Sequence, residues 1–355
     1  MASDIVSDEI VLNILAKLPT KSLVRFRCVS RYWRCMLMEP YFIKLRSHKN
    51  IILSVNTENL DFINGGNTYS IFKQCYPLDH LRRTTANLIG SFNGLVLMVY
   101  AYSFILYNPF TGESKKLPSP PSRIGCYKTG YGFGYGATPN DLKIVKIENY
   151  SNAYEVYDFK GNSWSSLSTK KYNVNYIRFV HPMGTFVNGY LYWIESKYVL
   201  IVFGVKDMVL SEIVLPASSS NFFLDTLGTI NGCLCSLNMT ELTTSSRLFE
   251  LWVSKEHSIE STWVKTHSFT LDFKWDYFYH TINIYDDGKI LMVDPSNQFI
   301  IYDISKSSYE TLEISLSEHF RPLFGLNCVQ YVETLVSPSD VYFSRLSGRK
   351  RKSTR

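Results

Sequence analysis

The sequence lacks a long apolar run. No stretch approaches the roughly 18 apolar residues expected of a membrane-spanning helix, so no membrane partner is predicted. The first residues include acids and no apolar segment of the signal-peptide type, so no secretory signal is expected. Charged residues are also few, at 19% of the chain, which is slightly low for a globular protein.

The sequence also lacks the short motifs of common enzyme classes. It contains no P-loop, no nucleophile elbow, no His-Glu-x-x-His and no Gly-rich dinucleotide turn. Glycine alternates with aromatic residues over 130–136, but no Lys-Ser/Thr or helix follows, so close backbone approach near a propeller axis explains the pattern better. Asp272, Asp276, Asp286 and Asp287 are interpreted as turn acids rather than as a carboxylate site. We therefore predict no catalytic residue, no cofactor and no metal.

The spacing of the cysteines gives little support to a metal site. The seven cysteines lie at positions 28, 35, 75, 126, 233, 235 and 328. Cys233 and Cys235 are the only close pair, and without a second pair nearby they are a weak zinc signal. Buried free thiols are the preferred interpretation. Free thiols indicate a reducing compartment, so we expect the protein in the cytoplasm, the nucleus or both.

The net charge of +6 is distributed unevenly. Residues 1–50 carry nine Lys/Arg and four Asp/Glu, whereas residues 345–355 carry six Lys/Arg and no acid. The middle of the chain is left acidic, which argues against nucleic acid as a partner because phosphates require a concentrated basic patch. The tail at residues 338–355 is predicted to be disordered, and its basic run is either a nuclear-import signal or a solvated end. That run comprises Arg349, Lys350, Arg351 and Lys352.

What the sequence does have is a dense apolar segment near its start. Apolar residues at steps of one, three and four predict a first helix with one apolar face: Ile10, Val11, Ile14, Leu15 and Leu18. Ser7 is its predicted N-cap, and two further short helices are predicted, the last capped by Ser30 and ending before Pro40. So small a segment cannot bury this much apolar surface by itself. We therefore infer that a second protein completes its core; the alternative is that the helices pack on the downstream domain of the same chain.

A family resemblance applies to this segment. Residues 9–33 read Glu-Ile-x-x-x-Ile-Leu-x-x-Leu-Pro-x-Lys-Ser-Leu-x-Arg-Phe-Arg-Cys-Val-Ser-x-x-Trp, and Pro-Tyr-Phe follows, which resembles the F-box of plant proteins. The resemblance implies docking on the SKP adaptor, and through it on a cullin, in a ubiquitin ligase. Where the family has Leu-Pro before the first helix, this chain has Val6-Ser7. The residues expected to face the adaptor or to shape that interface are Val6, Ile14, Leu18, Pro19, Leu23, Cys28, Val29 and Trp33.

From about residue 50 onward, the sequence repeats a unit of strands. Each unit contains an Asn-Gly, Asn-Asp or Asp-Gly pair, and these markers at 94, 141, 189, 232 and 288 are 47, 48, 43 and 56 residues apart. Asn-Gly and Asp-Gly favour tight hairpins because both central residues need positive φ. The spacing fits four strands per unit, the size of a propeller blade. Together with strands from residues 51–89 and 323–336, it predicts an all-β propeller of about six blades; a large β-sandwich is the structural alternative.

A second resemblance covers residues 88–337. The motifs Gly90-Ser-Phe-Asn-Gly-Leu-Val, Tyr107-Asn-Pro-Phe-Thr-Gly and Gly184-Thr-Phe-Val-Asn-Gly-Tyr-Leu-Tyr-Trp resemble the F-box-associated domain of plant F-box proteins, including S-locus pollen receptors and defence-related members. The expected organisation is an F-box at residues 1–47, connecting strands at 48–87 within the β domain, and the F-box-associated domain at 88–337.

The function implied by both resemblances is a non-catalytic one. The F-box would bind the adaptor, and the β domain would hold a target protein, whose identity is not encoded in these motifs, for ubiquitin transfer by other subunits. Two alternatives stay open at this point: a propeller enzyme of the glycosidase or oxidase type, which would need clustered carboxylates or a metal set, and an F-box protein that acts outside a ligase.

Overall fold

The computed structural model describes three helices, 24 strands and most of the tight turns. The described residues are 7–16, 18, 20–37, 42, 49–54, 59–64, 70–75, 86–100, 102–122, 124, 129–148, 153–168, 179, 181–196, 199–214, 222–243, 246–255, 262–272, 280–294, 298–315 and 327–341. The chain divides into two compact units. The first comprises Met1–Ala86, Ser91–Leu117 and Val329–Arg355, and the second comprises Asn87–Gly90 and Pro118–Cys328.

The three helices lie in the first unit and begin close to the predicted caps. They are α1 (Asp8–Ala16), α2 (Thr20–Arg27) and α3 (Arg31–Leu37). Ser7 directly precedes α1, and the backbone N–H of Trp33 donates to Ser30 Oγ at 3.1 Å, which confirms Ser30 as the N-cap of α3.

The apolar residues of α1 divide between two sides, so the single apolar face predicted for this helix is wrong in detail. Leu12 and Leu15 are buried, whereas Ile10 and Ile14 are 53% and 56% exposed. The reason is that the buried side packs on a core within the same unit, and residues 10 and 14, one turn apart, lie together away from it.

The strands form six sheets of four strands each within the described residues. The first sheet has the order β24 (Asn327–Val332), β1 (Lys49–Ser54), β2 (Asn59–Asn64), β3 (Ser70–Cys75). The second is β4 (Asn87–Phe92), β5 (Leu95–Tyr100), β6 (Ser103–Tyr107), β7 (Ser114–Lys116). The third is β8 (Thr129–Tyr135), β9 (Leu142–Glu148), β10 (Ala153–Asp158), β11 (Ser163–Ser168).

The other three sheets continue in chain order. The fourth is β12 (Thr185–Val187), β13 (Tyr190–Ser196), β14 (Val199–Gly204), β15 (Val209–Val214). The fifth is β16 (Phe222–Ile230), β17 (Cys233–Thr243), β18 (Ser246–Ser254), β19 (Trp263–Asp272). The sixth is β20 (His280–Ile284), β21 (Lys289–Val293), β22 (Gln298–Asp303), β23 (Ser308–Ser315).

Every predicted turn marker joins the first and second strands of a sheet. Asn93-Gly94, Asn188-Gly189 and Asn231-Gly232 have positive φ at both residues, as a tight primed hairpin requires. At Asp287-Gly288 the glycine has φ +79°, and its N–H donates to the Tyr285 carbonyl at 2.9 Å. Asparagine and glycine adopt positive φ at low cost, so these pairs fix the first hairpin of the second, fourth, fifth and sixth sheets, whereas Asn140 and Asp141 of the third sheet do not have positive φ.

The first sheet has no such marker because it is built from both ends of the chain. Its first strand, β24, follows the other five sheets in sequence, and β1 to β3 precede them. The chain therefore does not turn directly from the first to the second strand of this sheet. Five markers and six sheets are consistent for this reason, which confirms the predicted count of about six blades.

Neighbouring sheets of the second unit meet along their first strands. β8 contacts β12 and β13, these two contact β16, and β16 contacts β20. Buried apolar residues fill the space between successive sheets, for example Val145 and Leu191, or Phe249 and Ile300. Successive four-stranded sheets arranged in this way are the blades of a β-propeller, not the two layers of a sandwich.

Candidate functional site

The N-terminal helices bury one side in a core within the first unit. The buried members of this helix core are Leu12, Leu15, Leu23, Met36, Leu37, Phe42 and Leu335. Phe110, from the β6–β7 turn, and Leu335, which follows β24, are the two residues that the β domain contributes. The helices therefore pack on the same chain, so the inference that a second protein completes this core is wrong for the buried side of the helices.

The same helices nevertheless leave large apolar side chains in solvent. Ile10, Ile14, Val29 and Tyr32 are 53%, 56%, 65% and 56% exposed, and we call these four the exposed apolar set. In the described part of the β domain, which is far longer, four comparable residues occur: Tyr102, Val209, Leu242 and Tyr309. Exposed apolar side chains are thus concentrated in the helices, as expected at a protein-binding surface.

Local contacts hold α3 beside the start of α1. The hydroxyl of Tyr32 donates to Asp8 Oδ1, which links α3 to the N-terminus of α1. The rings of Phe26 and Trp33 lie 5.3 Å apart between centroids, and both pack against the helix core. These contacts and the helix core hold in place the helical segment that carries the exposed apolar set, so it would not have to fold when a partner binds.

The structure places the eight predicted adaptor-binding residues in different environments. Ile14, Cys28 and Val29 are exposed, and Leu18 and Trp33 are half-buried against the helix core. Leu23 is fully buried, so it can support the surface but cannot face a partner. Val6 and Pro19 lie outside the described residues.

Two members of the exposed apolar set are absent from the residues predicted to bind the adaptor. Ile10 lies one turn before Ile14 on α1, so helical spacing relates it to a residue that was predicted, whereas Tyr32 lies on α3 and Val29 lies in the turn before that helix. Periodicity shows that they are apolar but not on which side the core lies, because the core is completed by Phe110 and Leu335, far along the chain.

A buried charge cluster in the second unit contains two carboxylates, the kind of group that a propeller enzyme would need. Lys146, on β9, is fully buried, and its Nζ lies 2.7 Å from Glu148 Oε1 and 3.1 Å from Glu155 Oε2. Glu155 also accepts hydrogen bonds from the Ser122 backbone N–H and hydroxyl, at 3.0 and 2.6 Å. Burial acts to raise the pKa of Glu148, but hydrogen bonds from Lys146 and Ser122 outweigh it, so that pKa is lowered. A carboxyl kept ionised in this way does not supply the protonated acid of a glycosidase.

The described cysteines are free thiols with no metal-binding partners among the described residues. Cys235 and Cys328 are buried, and Cys233, half-buried, lies two residues from Cys235 on β17. Burial raises the pKa of both Cys235 and Cys328, so these thiols stay protonated and unreactive at neutral pH.

The glycine-rich strand β8 has a structural role in the second unit. Tyr131 forms a parallel bridge with Met183, and its carbonyl accepts a hydrogen bond from Trp193 Nε1 at 3.1 Å. A Cβ on Gly132 would lie 2.8 Å from Trp193 Cζ2. Close approach of neighbouring side chains therefore explains the glycines at 130, 132 and 134, while their position near a propeller axis stays a prediction. Of the aspartates interpreted as turn acids, Asp286 accepts the Gly232 N–H at 2.6 Å, Asp272 is exposed at the end of β19, and Asp276 lies outside the described residues.

Sequence comparison decides the family. Residues 41–338 match the F-box associated beta propeller domain, and residues 6–45 match the F-box domain. The chain belongs to the F-box-associated β-propeller family. The helices that carry the exposed apolar set are thus the F-box, and the six sheets form the family's propeller.

Known relatives agree with this assignment. F-box protein CPR1 of Arabidopsis thaliana is 25% identical over 86% of this chain and 84% of its own length. An F-box/kelch-repeat protein of the same plant is 24% identical over 94% of this chain and 96% of its own. Among solved structures, virginiamycin B lyase from Staphylococcus aureus covers 74% of this chain and 79% of its own, with 13% identity and a TM-score of 0.42, too low to support an argument about activity.

The basic run from Arg349 to Lys352 lies outside the described residues. No helix in the described part of the chain is both long and apolar enough to cross a membrane.

Proposed function

We propose that this protein is the substrate-recognition subunit of an SKP-cullin-F-box ubiquitin ligase. The observation that supports the proposal is a folded F-box with the exposed apolar set on its outer side. Its α1–α3 would bind the SKP adaptor, and the cullin would be reached through the adaptor. The free thiols agree with work in the cytoplasm or nucleus.

The β domain would bind a target protein while other subunits transfer ubiquitin. Holding a target lysine near the charged conjugating enzyme raises its effective concentration, which requires no nucleophile in the receptor. The propeller provides six sheets whose connecting loops differ in length, and loops on a rigid scaffold commonly carry recognition.

The experiment measures adaptor affinity for variants of exposed residues that leave the helix core intact. Ile14→Glu and Val29→Glu should each weaken adaptor binding by about 30-fold or more, because a buried anchor contributes about 2 kcal/mol or more to an interface. Val209→Glu is the matched control, since Val209 is also an exposed apolar residue, at 54%, but lies on β15. Equal affinity for all three variants and the wild type would reject these residues as adaptor contacts.

A second measurement separates the ligase role from an F-box protein that acts elsewhere. Chain purified with adaptor and cullin should support ubiquitin transfer to a co-purified target, and Ile14→Glu should lose that transfer. Adaptor binding without any transfer would favour a role outside a ligase.

A further inference from the structure

Asn108 lies directly after β6 and is fully buried, with every polar atom of its side chain in use. Its Oδ1 accepts hydrogen bonds from the backbone N–H groups of Phe110 and Thr111 at 2.8 and 3.1 Å. Its Nδ2 donates to the carbonyls of Thr334 and Val336 at 3.0 and 2.7 Å. The two carbonyls bracket Leu335, so one amide group fixes the backbone on both sides of that residue.

The two segments held by Asn108 contain the two β-domain residues of the helix core. Phe110 and Leu335 belong to that core, and Leu335 is 3% exposed there. A narrow cavity is lined by Leu23, Leu37 and Phe42 of the F-box together with these two residues and their neighbours. One side chain therefore positions both of the β-domain residues found in the helix core among the described residues.

Equivalent turns in two other sheets show that the turn itself does not need an amide. Asp158 accepts the N–H groups of the residues two and three positions later, at 3.2 and 3.0 Å, and Asp303 does the same at 2.9 and 3.3 Å. Like Asn108, each lies at the turn between the third and fourth strands of its sheet. An aspartate provides the acceptor that these turns require, but it has no N–H₂ group. The N–H₂ group of Asn108 thus serves the segment around Leu335, not the turn.

We infer that Asn108 is a positioning residue that locks the F-box helices to the β domain through Leu335 and Phe110. The lock makes the helices a rigid extension of strands β5–β7 within the first unit, not a module on a flexible tether. If the function proposed above holds, the lock also keeps a bound adaptor at a fixed position relative to those strands. The locking itself does not depend on that function.

The test is hydrogen–deuterium exchange on the full chain, with Asn108→Asp as the main variant. This variant keeps the turn acceptor and removes both donors. Loss of the two hydrogen bonds to the Thr334 and Val336 carbonyls should speed exchange of the α1–α3 amides by about 30-fold and leave β9 and β21 unchanged. Asp303→Asn makes the opposite substitution in an equivalent turn, and it should leave the helices as slow as in the wild type.

A second variant keeps the inference testable if Asn108→Asp fails to fold. Leu335→Ala retains Asn108 and should speed exchange in α1–α3 while the Phe110 and Thr111 amides stay slow. Unchanged helix exchange in either folded variant, or equal acceleration by Asp303→Asn, would overturn the lock. Exchange is measured without adaptor, so the result does not depend on the proposed function, which adaptor binding by the wild type tests separately.

Discussion

A glycine-to-alanine substitution at Gly94, compared with the same change at Gly232, tests whether the β4–β5 turn is held against Val332 and Thr334, at and just after the end of β24. Both glycines are the second residue of an Asn-Gly turn, with φ of +76° and +73°. Their surroundings differ completely. A Cβ on Gly94 would lie 2.7 Å from Thr334 Cβ and closer still to Thr334 Cγ2 and the Val332 carbonyl oxygen, whereas one on Gly232 would meet nothing within 4 Å.

The expected loss of stability has two parts, the strain of an alanine at positive φ and the steric clash of its Cβ with neighbouring atoms. An alanine with positive φ costs about 1–2 kcal/mol at either position. At Gly94 the collision with a backbone carbonyl and a buried threonine adds about 1–3 kcal/mol, as overpacking does in a core. Gly94→Ala should therefore reduce the free energy of unfolding by about 2 kcal/mol more than Gly232→Ala does.

The assay is denaturant unfolding, with thermal unfolding as a second measure. A difference of about 2 kcal/mol corresponds to roughly 3 °C in Tm for a domain that spans residues 41–338. Equal losses in the two variants would show that Thr334 and Val332 do not confine the turn. That result would also contradict the packing on which the Asn108 lock depends, because the Thr334 carbonyl is one of its acceptors.

Two further predictions concern buried polar groups. Burial raises the pKa of the Cys328 thiol from 9.0 to about 11, so between these pH values the folded state keeps a proton that the unfolded state loses. The free energy of unfolding should therefore fall as the pH rises from 9 to 11. The fall should be less steep in Cys328→Ala than in the control variant Cys28→Ala, which changes an exposed cysteine. Lys146→Met should lower the free energy of unfolding, measured in urea, by about 3–5 kcal/mol because Glu155 is left buried without its cation. The control Lys265→Met, at a half-exposed lysine paired with Glu250, should lower it by under about 1 kcal/mol. Similar losses in the two variants would refute the structural role of the buried pair.

Local chemistry makes the propeller predictable. Asn93-Gly94, Asn188-Gly189 and Asn231-Gly232 need only their own backbone to favour positive φ, so their spacing along the chain is enough to predict the sheets. The capping of α3 by Ser30 is predictable for the same reason. Features of this kind depend on a few adjacent residues, and a sequence displays them directly.

Contacts between distant segments are not predictable in this way. Which side of α1 is buried depends on Leu335, more than 300 residues later, so Ile10 and Ile14 cannot be distinguished from Leu12 and Leu15 by spacing. The Tyr107-Asn-Pro-Phe-Thr-Gly motif indicates the family, but the role of Asn108 needs the carbonyls of Thr334 and Val336. A single sequence does not show such pairs.

Lys146 illustrates the same limit for charge. In β9 its neighbours Ile144, Val145 and Ile147 predict a strand, and a lysine there would ordinarily be assigned to solvent. It is buried because Glu155 and Ser122, from the next strand and the preceding loop, surround its ammonium group.

Hydroxyl-radical footprinting of the full chain, with and without the SKP adaptor, tests the central claim most directly. The account predicts that adaptor lowers the reactivity of Ile14, Val29 and Tyr32 and leaves Val209 and Tyr309, similarly exposed on the propeller, unchanged. Unaltered reactivity of the three F-box residues at saturating adaptor, or protection of the two propeller residues in their place, would contradict it.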